Sequence, residues 1–391
     1  MFKHLFKLIW NKKKQNFLLM SEMLVSFLVI FAVFTLLVNY YTNYRKPMGF
    51  KYENVLVASY SKSVDIKDKD SLTTFFNVLR NTLESMPEIE SVCLTENNTP
   101  FSANTFMNNI DYGNIHVNSV NNYVTDMNYP KVMSLPILEG RWFGKQDAAS
   151  TYKPIIINNS LRTALFGNKK AVGQLVGKET KMRVVGVVTD IKDKGDYTLP
   201  KKGMYFNVDT GSLGGIQRLL IKVSPQADAG FETRLYRTLS GYIKDSNVDI
   251  EHLTDKRITM NKTDLVPMII LLIVASFLII NVALGLFGVL WYNINKRRAE
   301  IGLRRAIGAT GSAVSNQIVM ESLLLATLSI IIGTFFAIQF PLLNVFNLPS
   351  RVYITALCGA IAFIYLLVYL CSVYPGKQAA RVYPAVALHE D

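Results

Sequence analysis

Leu265-Val-Pro-Met-Ile-Ile-Leu-Leu-Ile-Val-Ala-Ser-Phe-Leu-Ile-Ile-Asn-Val-Ala-Leu-Gly-Leu-Phe-Gly-Val-Leu-Trp-Tyr292 runs for 28 residues without one charged side chain. About 20 apolar residues suffice for a helix to cross roughly 30 Å of hydrocarbon, so this stretch reads as a membrane span. Three others share its character: Phe17 to Val38, with Glu22 as its sole charge, Val314 to Leu343, with Glu321 alone, and Val352 to Tyr374, with none. Half of the 391 residues are apolar and 18% are charged, an unusual balance for a soluble enzyme. The reading is an α-helical membrane protein with four transmembrane helices, at 17–41, 264–292, 314–343 and 352–374.

Lys and Arg near the span ends set the orientation. Residues 1–16 carry Lys3, Lys7, Lys12, Lys13 and Lys14 with no acid, and the segment 293–313 carries Lys296, Arg297, Arg298, Arg304 and Arg305 against the single Glu300. Both are expected to be cytoplasmic, with residues 42–263 and the loop 344–351 outside and the tail 375–391 inside. The outer segment to Asp264 holds 29 basic side chains against 24 acidic ones, so much of the net charge of +13 belongs to the cytoplasmic face. Nucleic acid is not the implied partner; the lipid bilayer is. No small-residue cleavage site follows the first apolar run, so that helix is expected to stay. Before it, Phe2, Leu5, Phe6, Ile9 and Trp10 share one helical face, which predicts a short interfacial helix over 1–16. Cys93, Cys358 and Cys371 are too dispersed for a disulfide framework, and no bridge is expected.

The outer segment begins and ends with the same pattern. Asn54 to Tyr60 reads as a strand, Ser71 to Ser85 as an amphipathic helix and Ile89 to Leu94 as a strand. Arg218 to Val223, Phe231 to Ile243 and Val248 to Leu253 repeat that order. Two βαβ halves whose ends meet the membrane predict a split ferredoxin-like module over 50–95 and 217–258. Residues 96–216 are then an insertion, expected to be β-rich, with Met182 to Val188 as its clearest strand. The outer domain is α+β.

Most candidate chemistry in the sequence fails. Gly173-Gln-Leu-Val-Gly-Lys178-Glu179 imitates a phosphate loop, but three residues separate its glycines where four are needed, and Glu179 replaces the Ser or Thr that would ligate magnesium. His4, His116, His252 and His389 stand far apart, without ligand spacing. No nucleophile signature such as Gly-x-Ser-x-Gly occurs, and no catalytic residue, metal site or cofactor site is expected. Glu22 and Glu321 lie on different spans, which leaves an intramembrane enzyme without an acid pair.

The cytoplasmic segment from Asn295 to Thr310 is more informative. Ile301, Leu303, Ala306 and Ile307 recur at helical spacings among basic residues, with Gly308 and Gly311 closing the segment, so a short helix is expected to continue from the second span. On composition alone, an ordinary basic loop fits equally well.

Arg298-Ala-Glu-Ile-Gly-Leu-Arg-Arg-Ala-Ile-Gly-Ala309-Thr resembles the signature of the FtsX and MacB family of ABC permeases. Ala164-Leu-Phe-Gly-Asn-Lys-Lys-Ala-Val-Gly173, followed by Arg183-Val-Val-Gly-Val-Val188, resembles the family's MacB-type periplasmic core. Tyr374-Pro-Gly-Lys-Gln-Ala-Ala-Arg-Val-Tyr-Pro384-Ala-Val-Ala-Leu388 is similar to its closing segment, with His389 where Arg is frequent. The fused N-terminal ATPase of the MacB exporter itself has no counterpart in these residues.

The resemblance implies a dimer, homomeric or with a related permease, docked on ABC ATPase subunits that carry the ATP and magnesium. It divides the outer domain into a Porter part, the two βαβ halves, and an inserted Sabre part. It implies that Arg298, Glu300, Leu303, Arg304, Arg305 and Ile307 belong to a segment that contacts the ATPase, though basic residues there can also anchor to lipid phosphates. Glu321, in a segment resembling the family's third helix, is expected in helix packing or a dimer contact, and Gly285 and Gly288 would permit close helix approach. Export of antimicrobial compounds or peptides is the leading function implied, with a periplasmic adaptor and outer-membrane channel as further partners. Lipoprotein release, as in LolC and LolE, and FtsX-like control of a cell-wall hydrolase are the alternatives.

Overall fold

The structure is a computed structural model that describes residues 13–61, 64, 66–209, 211–244 and 246–381. The expected interfacial helix, over most of its length, and the end of the closing segment lie outside the described residues. The chain divides into two compact units, residues 1–42 with 265–391, and residues 43–264.

In chain order, helix α1 is Lys13–Tyr44, followed by β1 (Val55–Tyr60), α2 (Lys69–Glu84) and β2 (Ile89–Thr95). The insertion supplies β3 (Met107–Tyr112), β4 (Ile115–Thr125), α3 (Tyr129–Met133), β5 (Ile137–Gly140), β6 (Lys153–Asn158), α4 (Asn159–Phe166), β7 (Leu175–Val176), β8 (Met182–Val188) and β9 (Gly203–Asn207). Then come β10 (Arg218–Val223), α5 (Ala229–Tyr242) and β11 (Val248–His252). Four helices complete the chain: α6 (Leu253–Lys296), α7 (Arg298–Ala306), α8 (Gly311–Leu342) and α9 (Ser350–Ala380).

In the outer unit, β11, β1, β10 and β2 are neighbours in that order and every pairing is antiparallel. Each βαβ half is therefore split: β10 separates β1 from β2, and β1 separates β10 from β11. This is the ferredoxin-like interleaving. Asp68 starts α2 by accepting a hydrogen bond from the Ser71 amide at 2.8 Å, and Asp228 starts α5 by accepting one from Phe231 at 2.7 Å. Leu72, Phe76, Leu79 and Leu83 of α2 pack with Phe231, Leu235 and Leu239 of α5 over one face of the sheet. Val55, Val57, Cys93 and Leu220 fill the opposite face with Trp142, Tyr205 and Leu253. Burial on both faces explains the apolar runs of the inner strands β1 and β10.

The insertion extends the same sheet in the order β4, β9, β6, β8, β5, joined to β2 through Thr95 and Thr125. Two of its pairings, β4 with β9 and β6 with β8, are parallel. Its own core gathers Ile155, Ile157, Leu161, Leu165 and Val184 under α4. The three cysteines are unbridged.

In the other unit, α1, α6, α8 and α9 are long and apolar enough to cross a membrane, four such helices among the described residues. Leu19, Met23, Phe27 and Ile30 of α1 pack against Val282 and Leu286 of α6, Leu325 and Ile330 of α8, and Ala356, Ala360 and Ile364 of α9. Hydroxyls add contacts: Ser329 donates to the Met20 carbonyl at 3.1 Å, and Thr327 lies 3.0 Å from the Tyr365 hydroxyl. Ile269, Ile273, Phe277, Ile280 and Leu284 of α6 remain exposed, as lipid permits. Helix α6 begins eleven residues before the expected span because Leu253 to Asp264 contain no Gly or Pro to stop it.

Candidate functional site

The segment between α6 and α8 does not continue the membrane helix. Arg297 leaves helical geometry at φ −106° and ψ 15°, and α7 restarts at Arg298 for nine residues. Gly308, at φ +101°, takes the left-handed conformation that ends it, and the Thr310 hydroxyl accepts from the Ala313 amide at 3.3 Å to begin α8. Gly311 thus opens the next helix and does not close α7.

One face of α7 is buried: Ile301 packs with Ile294, Val314, Ile318 and Ala379. Beside this cluster five polar side chains form a closed ring. Arg297 Nε donates to Glu300 at 3.1 Å, and Arg304 Nη2 donates to the other oxygen of Glu300 at 2.6 Å. Arg304 Nη1 donates to Gln317 Oε1 at 2.9 Å, Gln317 Nε2 to Glu321 Oε1 at 3.0 Å, and Arg297 Nη1 returns to Glu321 Oε2 at 3.2 Å. The cavity these residues line measures about 40 Å³, room for a water but not for a nucleotide. The ring ties α7 to α8 through charge-assisted hydrogen bonds, which hold orientation as well as position.

The expected contact residues therefore divide. Glu300 and Arg304 are engaged within the chain, and Arg305 folds back, its Nη1 donating to the Ala309 carbonyl at 3.4 Å. Arg298 is half-buried. Leu303 and Ile307, one turn apart, are 54% and 79% exposed and form an apolar edge. Arg297 and Gln317 were not anticipated as site residues. Their signals were an arginine at a helix break and an amide four residues before an intramembrane Glu that needs donors.

Glu321 finds its donors inside the chain, in Arg297 and Gln317. Gly285 lies against Glu22 of α1, where a Cβ would stand 2.7 Å from the carboxylate. Nothing lies within 4 Å of the corresponding point at Gly288. The imitation phosphate loop is a β-hairpin: Leu175 and Val176 pair with Arg183 and Met182, and Gly173 and Gly177 turn at φ +92° and +90°. No helix N-terminus follows to receive a phosphate. Among the described residues no group of three or more His, Cys, Asp or Glu could hold a metal ion.

Two family models match the chain: the MacB-like periplasmic core domain over residues 22–233 and the FtsX-like permease C-terminal over 270–384. A macrolide export ATP-binding/permease protein MacB of Bordetella avium is 26% identical, aligned over 71% of this chain and 44% of that protein. An uncharacterized ABC transporter permease of Bacillus subtilis, YvrN, is 23% identical over 68% of this chain and 69% of its own. The chain spans under half the length of the first MacB relatives it matches, 41% to 48% of each. Among solved structures, the periplasmic region of MacB from Actinobacillus actinomycetemcomitans aligns with 54% of this chain and 94% of its own, at 20% identity and a TM-score of 0.39.

Proposed function

Because the chain belongs to the family of ABC permeases with a MacB-like periplasmic core domain and an FtsX-like C-terminal domain, we propose that it is the permease subunit of a mechanotransmitting ABC transporter. In this reading a separate ATPase chain binds ATP and magnesium and docks on α7, and its closing and reopening move the outer unit. The cargo is an antimicrobial compound or peptide expelled from the outer side. The termini and α7 face the cytoplasm, as the lysines and arginines there favour. A second permease, alike or related, completes a dimer, and an adaptor and outer-membrane channel can extend the path.

The observation that carries this reading is the apolar edge of Leu303 and Ile307 on a helix otherwise fixed by its polar ring. Covering two such side chains is worth about 1.5 to 3 kcal/mol each. A preformed helix also loses little entropy on docking.

The test is purification of the tagged protein in mild detergent with its associated chains, wild type beside Leu303→Asp/Ile307→Asp. An ABC ATPase should accompany the wild type and be lost from a variant that melts normally. An ATPase retained by the variant, or none with the wild type even after crosslinking in cells, refutes the reading.

A further inference from the structure

Within the outer unit, α2 and the insertion enclose a cleft of about 550 Å³, within the size range of small-molecule sites. Phe76, Leu94 and Leu213 form an apolar wall that is buried within the fold, and Met127 stands 41% exposed beside them. Charged groups line much of the rest, and their hydrogen bonds decide what the cleft can accept.

Each carboxylate is already occupied by donors from the chain. Asp126 accepts from the Leu94 and Asn128 amides, both at 2.9 Å, and from Arg80 Nη2. Asp147 takes two hydrogen bonds from Arg141, at 2.7 and 2.5 Å, and a third from the Gly144 amide at 2.8 Å. Asp209 receives the Gly211 and Ser212 amides at 3.0 and 2.9 Å and Lys153 at 3.4 Å. The donors are not matched in the same way. Arg80 is held by Asp126 through Nη2 only, and its partly exposed guanidinium meets no other acceptor among the described residues. Lys145 makes no ion pair among the described residues. The unmet capacity of the cleft is therefore donor capacity, cationic, beside an apolar wall.

We propose that this cleft is a binding site for a small amphiphile with an acidic head, a carboxylate or a phosphate, placed between Arg80 and Lys145 with its apolar part along Phe76, Leu213 and Met127. Asp126 fixes the guanidinium in advance, so an anion meets an oriented fork. Apolar contact and charge-assisted hydrogen bonds act together, and a ligand with either feature alone binds more weakly.

The full chain in lipid nanodiscs, with empty nanodiscs as reference, is dialysed against labelled octanoate, octyl phosphate, octylammonium, acetate and inorganic phosphate. Saturable binding of octanoate or octyl phosphate at one equivalent is expected, and the tighter of the two identifies the head group. Octylammonium, acetate and inorganic phosphate should bind at least about tenfold more weakly. Lys145→Glu and Met127→Asp, both at exposed positions, should each reduce binding without lowering the melting temperature. No saturable binding above empty nanodiscs, equal binding of octylammonium, equal binding of the bare anions, or normal binding by both folded variants would each overturn the proposal.

Discussion

The guanidinium of Arg257 closes on the carboxylate of Asp196 with Nε 3.0 Å from one oxygen and Nη2 2.7 Å from the other. Asn261, one turn further along α6, donates to the same carboxylate at 2.7 Å and accepts from the Asp196 amide at 2.9 Å. Lys192 adds hydrogen bonds to the carbonyls of Asn43, at 2.9 Å, and Asp196, at 3.0 Å. The loop after β8 thereby fastens the end of α1 and the beginning of α6 within the outer unit. Gly195 is required there: at φ +106°, any Cβ would stand 2.5 Å from the Asn261 side-chain oxygen.

Removing one partner of a nearly buried pair leaves the other charge uncompensated, so Arg257→Ala should destabilise the outer unit by about 3 kcal/mol. Arg257→Lys keeps the charge but not the fork and should recover only part of that. Proteolytic sensitivity of the 43–264 region against denaturant measures both. An unchanged profile for Arg257→Ala would show that the pair adds no stability.

The ring at α7 predicts non-additivity. Arg297→Ala and Glu321→Gln remove opposite sides of one contact, so the double variant should be more stable than the sum of the single losses implies, by about 1 to 3 kcal/mol. Strict additivity in a double-mutant cycle would mean that the ring does not act as a unit.

Glycines in the spans differ in what they permit. Gly333 faces the ring of Phe27, which a Cβ would meet at 2.3 Å, and Gly285 faces Glu22. Gly333→Val and Gly285→Val should each cost about 1 to 3 kcal/mol through overpacking. Gly288→Ala meets no atom of its own chain and should leave the melting temperature unchanged. A Gly288→Leu variant that melts normally but dissociates on gel filtration would place that glycine between two permeases.

Acid should weaken the insertion at Asp147. Hydrogen bonds from Arg141 hold the Asp147 carboxyl below its ordinary 3.8. A depressed folded value means that the stability it contributes is present above 3.8 and is lost as pH falls through the folded value. Wild-type stability should therefore drop more steeply below about pH 4 than that of Asp147→Asn, which is less stable at pH 7 but flatter in acid. Parallel curves in that range would remove Asp147 from the acid response.

Local pattern sufficed for much of this architecture. The strands Arg218–Val223 and Met182–Val188 lie where their apolar runs placed them, and the four spans follow from length and the absence of charge. The βαβ order was legible twice over, because helix and strand periodicities are properties of neighbouring residues. What the linear pattern left open was which strand each half would admit between its own two.

The sequence by itself determined the four apolar spans and the helices and strands of the two βαβ halves, since these depend on residues within a few turns of each other. Only the tertiary structure decided how charges pair. Arg297 reaches Glu321 across 24 residues, and Arg257 reaches Asp196 across 61. A guanidinium donates to any carboxylate that the fold brings within about 3 Å, and that distance is set by helix breaks and strand order, not by spacing along the chain. The same cause left Leu303 and Ile307 on the open edge of α7 while Glu300 and Arg304, their equals as candidates by resemblance, engaged the ring.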